Sequence, residues 1–287
     1  MLFSSITFLF YFLPILLIIY FIVPKKFKNL VLFIFSLFFY FYGEPKYGFL
    51  LLLSCIINYI MGNLIDKYRK RAKVFLIIAL MYNIGQLIYF KYLDFFIENI
   101  NNIFNTNIGF MYIVMPIGIS FFTFQTISYV VDIYNKKVES SKSFLNFATY
   151  VCLFPQLVAG PIVRYETIAS ELKNRKSNFD TFSEGVKRFT IGLAKKVLIA
   201  NLLGEMCTSL ASLPNGSVMS YLLEAVGYTL QIYFDFSGYS DMAIGLGLFF
   251  GFHFLENFNY PLVASSITDF WRRWHISLSS FFRDYVY

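Results

Sequence analysis

The sequence predicts an all-α, polytopic membrane protein of about eight to nine transmembrane or broken helices, with amphipathic helices on the membrane surface. Three observations carry this. First, 57% of the 287 residues are hydrophobic and only 14% charged, with a mean hydropathy of +0.60, whereas soluble domains are about one quarter charged. Second, apolar segments recur at Ile6–Val23, Leu30–Gly43, Tyr47–Leu64, Val74–Phe90, Ile108–Tyr134, Phe144–Val163, Thr190–Cys207, Met219–Phe236 and Ala243–Phe254. Third, the loops between them alternate in basic residues: three in Pro24–Lys28, one in Gly43–Lys46, five in Asp66–Lys73, one in Lys91–Asn107 and three in Asn135–Lys142. Positively charged loops stay in the cytoplasm. The N-terminus is therefore expected outside, with the PKKFK, DKYRKRAK and NKKVESSK loops inside, and Ile108–Tyr134 crosses once.

Ile6–Val23 is followed, not preceded, by basic residues and lacks a small-residue cleavage site. It reads as a retained first spanning helix and not a signal peptide. A lone helix needs roughly 17–25 residues to cross the hydrocarbon, so Leu30–Gly43 and Ala243–Phe254 must tilt, stop part way, or sit where the bilayer is thin. Pro116 with Gly118, Pro155 with Gly160 and Pro161, and Gly238 break their segments. Broken backbone at membrane depth is tolerated only inside protein or along a wet cavity, which implies a tunnel or funnel.

Arg164–Arg188 changes character, carrying six basic and four acidic residues without a long apolar run. It reads as a solvated cytoplasmic loop with amphipathic surface helices and a helix start at Asn178 or Ser183. Lys195 and Lys196 then enter an apolar run, and the expectation is that they snorkel to the basic cytoplasmic face. The net charge of +7 is explained by basic loops and calls for no nucleic-acid partner. Cys55, Cys152 and Cys207 sit in apolar stretches without C-x-x-C spacing and read as small buried hydrophobes.

Gln231–Asp241, QIYFDFSGYSD, places Asp235 and Asp241 at the end of an apolar run with no basic neighbour in sequence. Intramembrane carboxylates are functional by default. At period two, Asp235, Ser237, Tyr239 and Asp241 would share one wall of a polar tunnel; as a helix they spread around the axis, with a turn at Gly238. Pattern alone leaves both readings open, together with a third in which these groups tie neighbouring helices together.

His253 ends an apolar segment near Glu256 and reads as structural. Thr268–Tyr287, TDFWRRWHISLSSFFRDYVY, holds both tryptophans, three arginines and one of the two histidines. Ser266 with Asp269 has the form of a capping box, so a helix starts there. Carried on at period 3.6, it would place Trp271, Trp274, His275, Leu278, Phe282 and Tyr285 on one side and Arg272, Arg273, Ser277, Ser280, Arg283 and Asp284 on the other. An imidazole among rings is more often a hydrogen-bonded core residue than a chemical one. No H-E-x-x-H, phosphate-binding Gly loop, G-x-S-x-G elbow or metal-ligand cluster is present, so hydrolase, kinase and zinc-enzyme chemistry has no foothold and no metal is expected.

Five motifs now stand in order: PIGISFFTFQTISYVVDIY (116–134), FPQLVAGPIVRY (154–165), GLAKKVLIAN (192–201), YFDFSGYSDMAIG (233–245) and DFWRRWHISLSSFFRDYVY (269–287). Together they resemble the membrane-bound O-acyltransferase family, in particular its alginate and peptidoglycan O-acetyltransferase branch. The resemblance spans essentially the whole chain and is weaker as to the glycan acetylated. It implies a ring of membrane helices around a tunnel, with residues 1–287 as the N-terminal part of one longer domain and 164–188 as its cytoplasmic loop.

The resemblance further implies a bacterial cytoplasmic-membrane enzyme. Such an enzyme moves an acyl group, from acetyl-CoA or a carrier-protein thioester as substrate, onto hydroxyls of an extracytoplasmic polysaccharide, with a partner acetyltransferase outside and no resident cofactor. The histidine of the W-x-x-W-H-x-S-L motif corresponds to His275, which gains a supporting role. Arg272 and Arg273 become candidates for the donor's phosphates, with Asp235, Ser237, Tyr239 and Asp241 as tunnel candidates. A second family histidine, taken as the base, falls beyond Tyr287, so the 287-residue chain alone is expected to be inactive. A glycan-precursor flippase and a non-catalytic scaffold are the rivals.

Overall fold

The computed structural model describes residues 1–158, 160–175, 178–213 and 216–287; Lys176 and Ser177, within the predicted 164–188 loop, lie outside the described residues. All regular structure among them is helical. The helices are α1 (Leu13–Ile22), α2 (Lys28–Gly43), α3 (Gly48–Lys67), α4 (Ala72–Leu87), α5 (Leu93–Phe104), α6 (Ile119–Tyr134), α7 (Phe144–Cys152), α8 (Phe154–Leu157), α9 (Tyr165–Asn174), α10 (Phe179–Ala194), α11 (Asn201–Ala211), α12 (Val218–Phe249), α13 (Ile267–Arg273) and α14 (Ile276–Tyr285). π-Helical turns precede α1 and join α4 to α5 and α10 to α11. Among the described residues three helical runs are long and apolar enough to cross a membrane: Lys25–Gly43, Gly48–Lys67 and Arg69–Phe104; Thr7–Ile22 is a shorter one.

The chain divides into two compact units. One comprises Val23–Val158 with Arg164–Leu172. Here Pro116 and Gly118 do break the chain: α6 starts only at Ile119, after Gly118 turns through φ 76°. A side chain at Gly118 would strike the carbonyl of Leu157, so conformation and space both call for glycine. Leu153 and Pro155 likewise separate α7 from α8.

A polar, uncharged network lies between α3, α4 and α6 of this unit. Asn58 and Asn83 exchange amide hydrogen bonds at 3.2 and 2.7 Å, Thr126 donates to Asn83 at 2.9 Å, Gln86 donates to Thr123 at 2.9 Å, and Ser54 donates to Gln86 at 3.0 Å. Ser54, Asn58, Asn83, Thr123 and Thr126 have no exposure, and Gln86 keeps 7%. Between apolar helices there is little hydrophobic driving force, so such bonds hold α3, α4 and α6 together. Cys55 and Cys152 are buried, unbonded thiols with sulfurs 3.7 Å apart, and Cys207 is also buried and free, in line with their reading as buried hydrophobes.

The other unit contains Met1–Ile22, a short stretch ending at Val163, and Lys173–Tyr287. Asn178 caps α10, accepting from the Thr181 N–H at 2.7 Å within a capping box, so the helix start expected at Asn178 is the one observed. α10 runs antiparallel to α12 through paired glycines. A Cβ on Gly192 would come 2.5 Å from the Gly238 oxygen, and one on Gly185 would come 2.8 Å from the Gly245 oxygen. Small residues permit this backbone approach between membrane helices.

α12 corrects two expectations. Met219–Phe236 and Ala243–Phe254 are not separate segments, because Val218–Phe249 is one continuous helix. Gly238 lies in mid-helix, where it admits Gly192 and makes no turn; the extended, period-two reading of Gln231–Asp241 falls with it.

Candidate functional site

The predicted C-terminal helix starts as expected and then breaks. Ser266 accepts from the Asp269 N–H at 3.1 Å to cap α13, but the helix ends at Arg273 and His275 adopts φ 46° and ψ 54°. This left-handed residue turns the chain before α14 and invalidates a single helical wheel. Ser277, expected on the polar side, is 8% exposed, whereas Trp271 on the expected apolar side is 50% exposed. The turn is held from outside. Asn259 N–H donates to the Arg273 carbonyl at 2.9 Å, and Ile276 N–H donates to the Asn257 carbonyl at 3.0 Å.

Those bonds bring the segment after α12 against His275 and Ser277. The Asn257 side chain is fully buried. Its Oδ1 lies 3.1 Å from His275 Nδ1 and accepts from Ser277 N–H at 3.2 Å and Ser277 Oγ at 2.9 Å; its Nδ2 donates to Ser240 Oγ at 3.1 Å. Ser277 Oγ in turn accepts from Ile162 N–H at 3.0 Å. The edge of one ring meets the face of the other where Phe236 packs on the imidazole, with centroids 4.7 Å apart. Burial alone pushes the imidazole down to about 4, so the ring is neutral at neutral pH.

A charged cluster adjoins this site on α12. Asp241, next to Ser240, is 6% exposed and pairs with Arg188 and with Lys195, each at 2.6 Å. Arg188 also reaches Glu256 at 2.5 Å, and Lys196 reaches Asp235 at 2.7 Å. Both lysines therefore pair with carboxylates, correcting the expectation that they snorkel: the π turn at Lys195–Ala200 begins where α10 lies against α12. Glu256 and Asn257 are consecutive, so the ion pair with Arg188 and the amide bond with Ser240 pin the same piece of chain.

The remaining predicted residues are dispersed. Ser237 is buried with no hydrogen-bond partner among the described residues, and Tyr239 stacks on Phe3 with ring centroids 4.6 Å apart. Arg273 is tied to Asp269 at 2.9 Å, while Arg272 is exposed. Trp274 packs among Phe258 and Phe270 at 5.1 and 5.6 Å, and His253 is exposed in the segment after α12. A cavity of about 770 Å³ along α11 and α12 is lined by residues such as Asn201, Glu205 and Gln231 and does not include His275. No group that could hold a metal ion occurs among the described residues. Asn257 was not singled out from sequence; its one available signal was an amide standing between Leu255 and Phe258 in a largely apolar neighbourhood.

An apolar helical bundle with a buried, neutral histidine beside hydroxyl and amide groups fits a membrane-embedded transferase. The model of the membrane-bound O-acyltransferase family matches residues 122–287, and the chain belongs to that family. It is 42% identical over its whole length to a probable alginate O-acetylase of Pseudomonas aeruginosa, covering 56% of that protein. It is 36% identical over its whole length to a peptidoglycan O-acetyltransferase of Helicobacter pylori, covering 61%. With a teichoic acid D-alanyltransferase of Bacillus subtilis it shares 29% identity over 60% of the chain and 44% of that protein. The chain thus spans a little over half the length of the O-acetylating relatives.

Proposed function

We propose that the full-length protein is a membrane O-acyltransferase that moves an acetyl group from a cytoplasmic thioester to hydroxyls of an extracytoplasmic polysaccharide. The observation that carries this reading is the buried arrangement in which Asn257 holds His275 and Ser277 of the W-R-R-W-H-I-S-L stretch in a chain of this family. In the reaction a sugar oxygen bonds the acyl carbon, the C–S bond breaks, and the hydroxyl proton ends on the departing sulfur. His275, neutral and buried, acts as a hydrogen-bonding support where water competes poorly. Acetyl-CoA and a carrier-protein thioester are the two donors of the right chemistry. Arg272 is free to meet a donor phosphate, Arg273 only on leaving Asp269, and Asp235, Ser237, Tyr239 and Asp241 are the candidate tunnel lining.

Further parts of the reading are a ring of helices around a tunnel, residence in the bacterial cytoplasmic membrane with the N-terminus outside, and a partner acetyltransferase on the outer face. The relatives' names make alginate-like and peptidoglycan-like glycans the first acceptors to test. Deleting the gene and measuring ester-linked acetate on envelope polysaccharides tests the activity. Loss of acetate from one glycan supports it; unchanged acetate with lost export of a glycan would instead make the protein a flippase. For orientation, a cysteine at Lys46 should react with an impermeant reagent in intact cells and one at Lys70 should not; the reverse pattern overturns the topology.

A further inference from the structure

We infer that Asn257 is a positioning residue that locks His275 in the Nδ1–H tautomer, leaving the Nε2 lone pair as the site's hydrogen-bond acceptor for a substrate O–H. The argument starts from a group whose proton is not in question. The backbone N–H of Ser277 can only donate, and it faces one atom of the Asn257 amide at 3.2 Å. That atom must be the oxygen, which fixes the amide's orientation. The same oxygen stands 3.1 Å from His275 Nδ1. Two lone pairs at that distance would repel, so Nδ1 carries the hydrogen and donates.

Ser277 does not offer an alternative. Its hydroxyl has one proton, and Asn257 Oδ1 at 2.9 Å is closer and better placed than His275 Nδ1 at 3.4 Å. With one oxygen lone pair engaged by Ile162 N–H, Ser277 strengthens the arrangement by holding the amide. Ser240 holds the other end at 3.1 Å. The imidazole is therefore clamped on one edge, and Nε2 has no hydrogen-bond partner among the described residues. In a neutral imidazole the nitrogen without hydrogen is an acceptor, suited to the hydroxyl of a sugar.

This inference rests on the acyl-transfer reading for what Nε2 receives, but the tautomer itself can be measured without any transfer. The test is the nitrogen NMR spectrum of the full-length protein labelled with ¹⁵N-histidine, with the His275→Gln spectrum subtracted to isolate His275. The expected result at neutral pH is a protonated Nδ1 and a bare Nε2. Asn257→Leu, which removes the acceptor, should shift the ring toward the Nε2–H form and lower acetyl transfer by about a hundredfold.

Asn257→Asp keeps an acceptor for both Nδ1–H and Ser277 N–H while adding negative charge. It should retain the Nδ1–H form and move the acid limb of the pH–rate profile to higher pH, because a carboxylate favours the imidazolium. A role confined to capping α14 would leave the tautomer of the Leu variant and the acid limb of the Asp variant unchanged, and either outcome overturns the inference, as does a wild-type Nε2–H signal. If Asn257→Leu does not accumulate, the wild-type spectrum and the Asp profile still decide. A spectrum as expected in a protein that transfers nothing upholds the tautomer and sinks the acyl-transfer reading.

Discussion

The two compact units bury polar groups in different ways. In the unit built on α3, α4 and α6, the amides of Asn58, Asn83 and Gln86 find partners in one another and in Ser54, Thr123 and Thr126, and that network is closed, with the buried Gln125 amide standing outside it. In the unit built on α10, α12, α13 and α14, the network is open: Asn257 and Ser277 satisfy one edge of His275 and leave the other nitrogen over, and carboxylates and bases lie beside it. A closed neutral network serves cohesion. An open one beside a buried charge cluster costs stability that cohesion does not require, which is why it is the site proposed to act.

The contrast is broken most decisively at His275. His275→Ala in the full-length protein should lower acetyl transfer about a hundredfold or more while membrane insertion and accumulation stay at wild-type levels; normal transfer in the Ala variant removes His275 from the mechanism. His275→Gln sharpens this, since glutamine hydrogen-bonds but takes no proton. Retained activity there would make His275 a support and place the base elsewhere.

Next comes Asp241. Asp241→Ala leaves Arg188 and Lys195 without their shared carboxylate, and removing one partner of a buried pair costs about 3–5 kcal/mol. The two bases keep 33% and 28% exposure, so the lower end is expected, read as a fall in the thermal midpoint of the detergent-solubilised protein. A third, smaller effect tests the helix crossing: Gly192→Leu forces a side chain against the Gly238 carbonyl and should destabilise by about 1–3 kcal/mol, with Gly85→Leu, where a Cβ meets nothing within 4 Å, as the silent control.

The smallest effect belongs to the closed network. Asn83→Leu should cost only about 0.6–1.7 kcal/mol, the range of interhelical hydrogen bonds in membranes, and leave transfer by the assembled protein unchanged. A larger loss than that of Asp241→Ala would reverse the assignment of cohesion to one unit and function to the other.

Much of the fold was legible because its signals are local. Asn178 and Ser266 declare helix starts by their own side chains, and Pro116 with Gly118 declares a break by its own backbone. Gly238 was misread because a glycine among serines and tyrosines looks the same whether it turns a chain or admits a neighbour. The distinguishing information is Gly192, 46 positions earlier in the sequence. The spacing of Gly185 and Gly192 matches that of Gly238 and Gly245, and that pair of heptads was the readable clue to an antiparallel crossing.

The site was legible only in part for the same reason. His275 could be read from its motif, but its amide partner Asn257 stands 18 residues away, and an asparagine four positions before Pro261 carries the ordinary signature of a loop. The pairing of Lys195 and Lys196 with Asp241 and Asp235 was equally hidden, since each member looked isolated along the chain.

The backbone at residue 275 has one more consequence. A left-handed conformation penalises any side chain by on the order of 1 kcal/mol, and glycine alone escapes the penalty. His275→Gly should therefore hold the α13–α14 corner better than His275→Ala does while abolishing the same activity. The corner would then rank its residues in opposite orders for durability and for turnover.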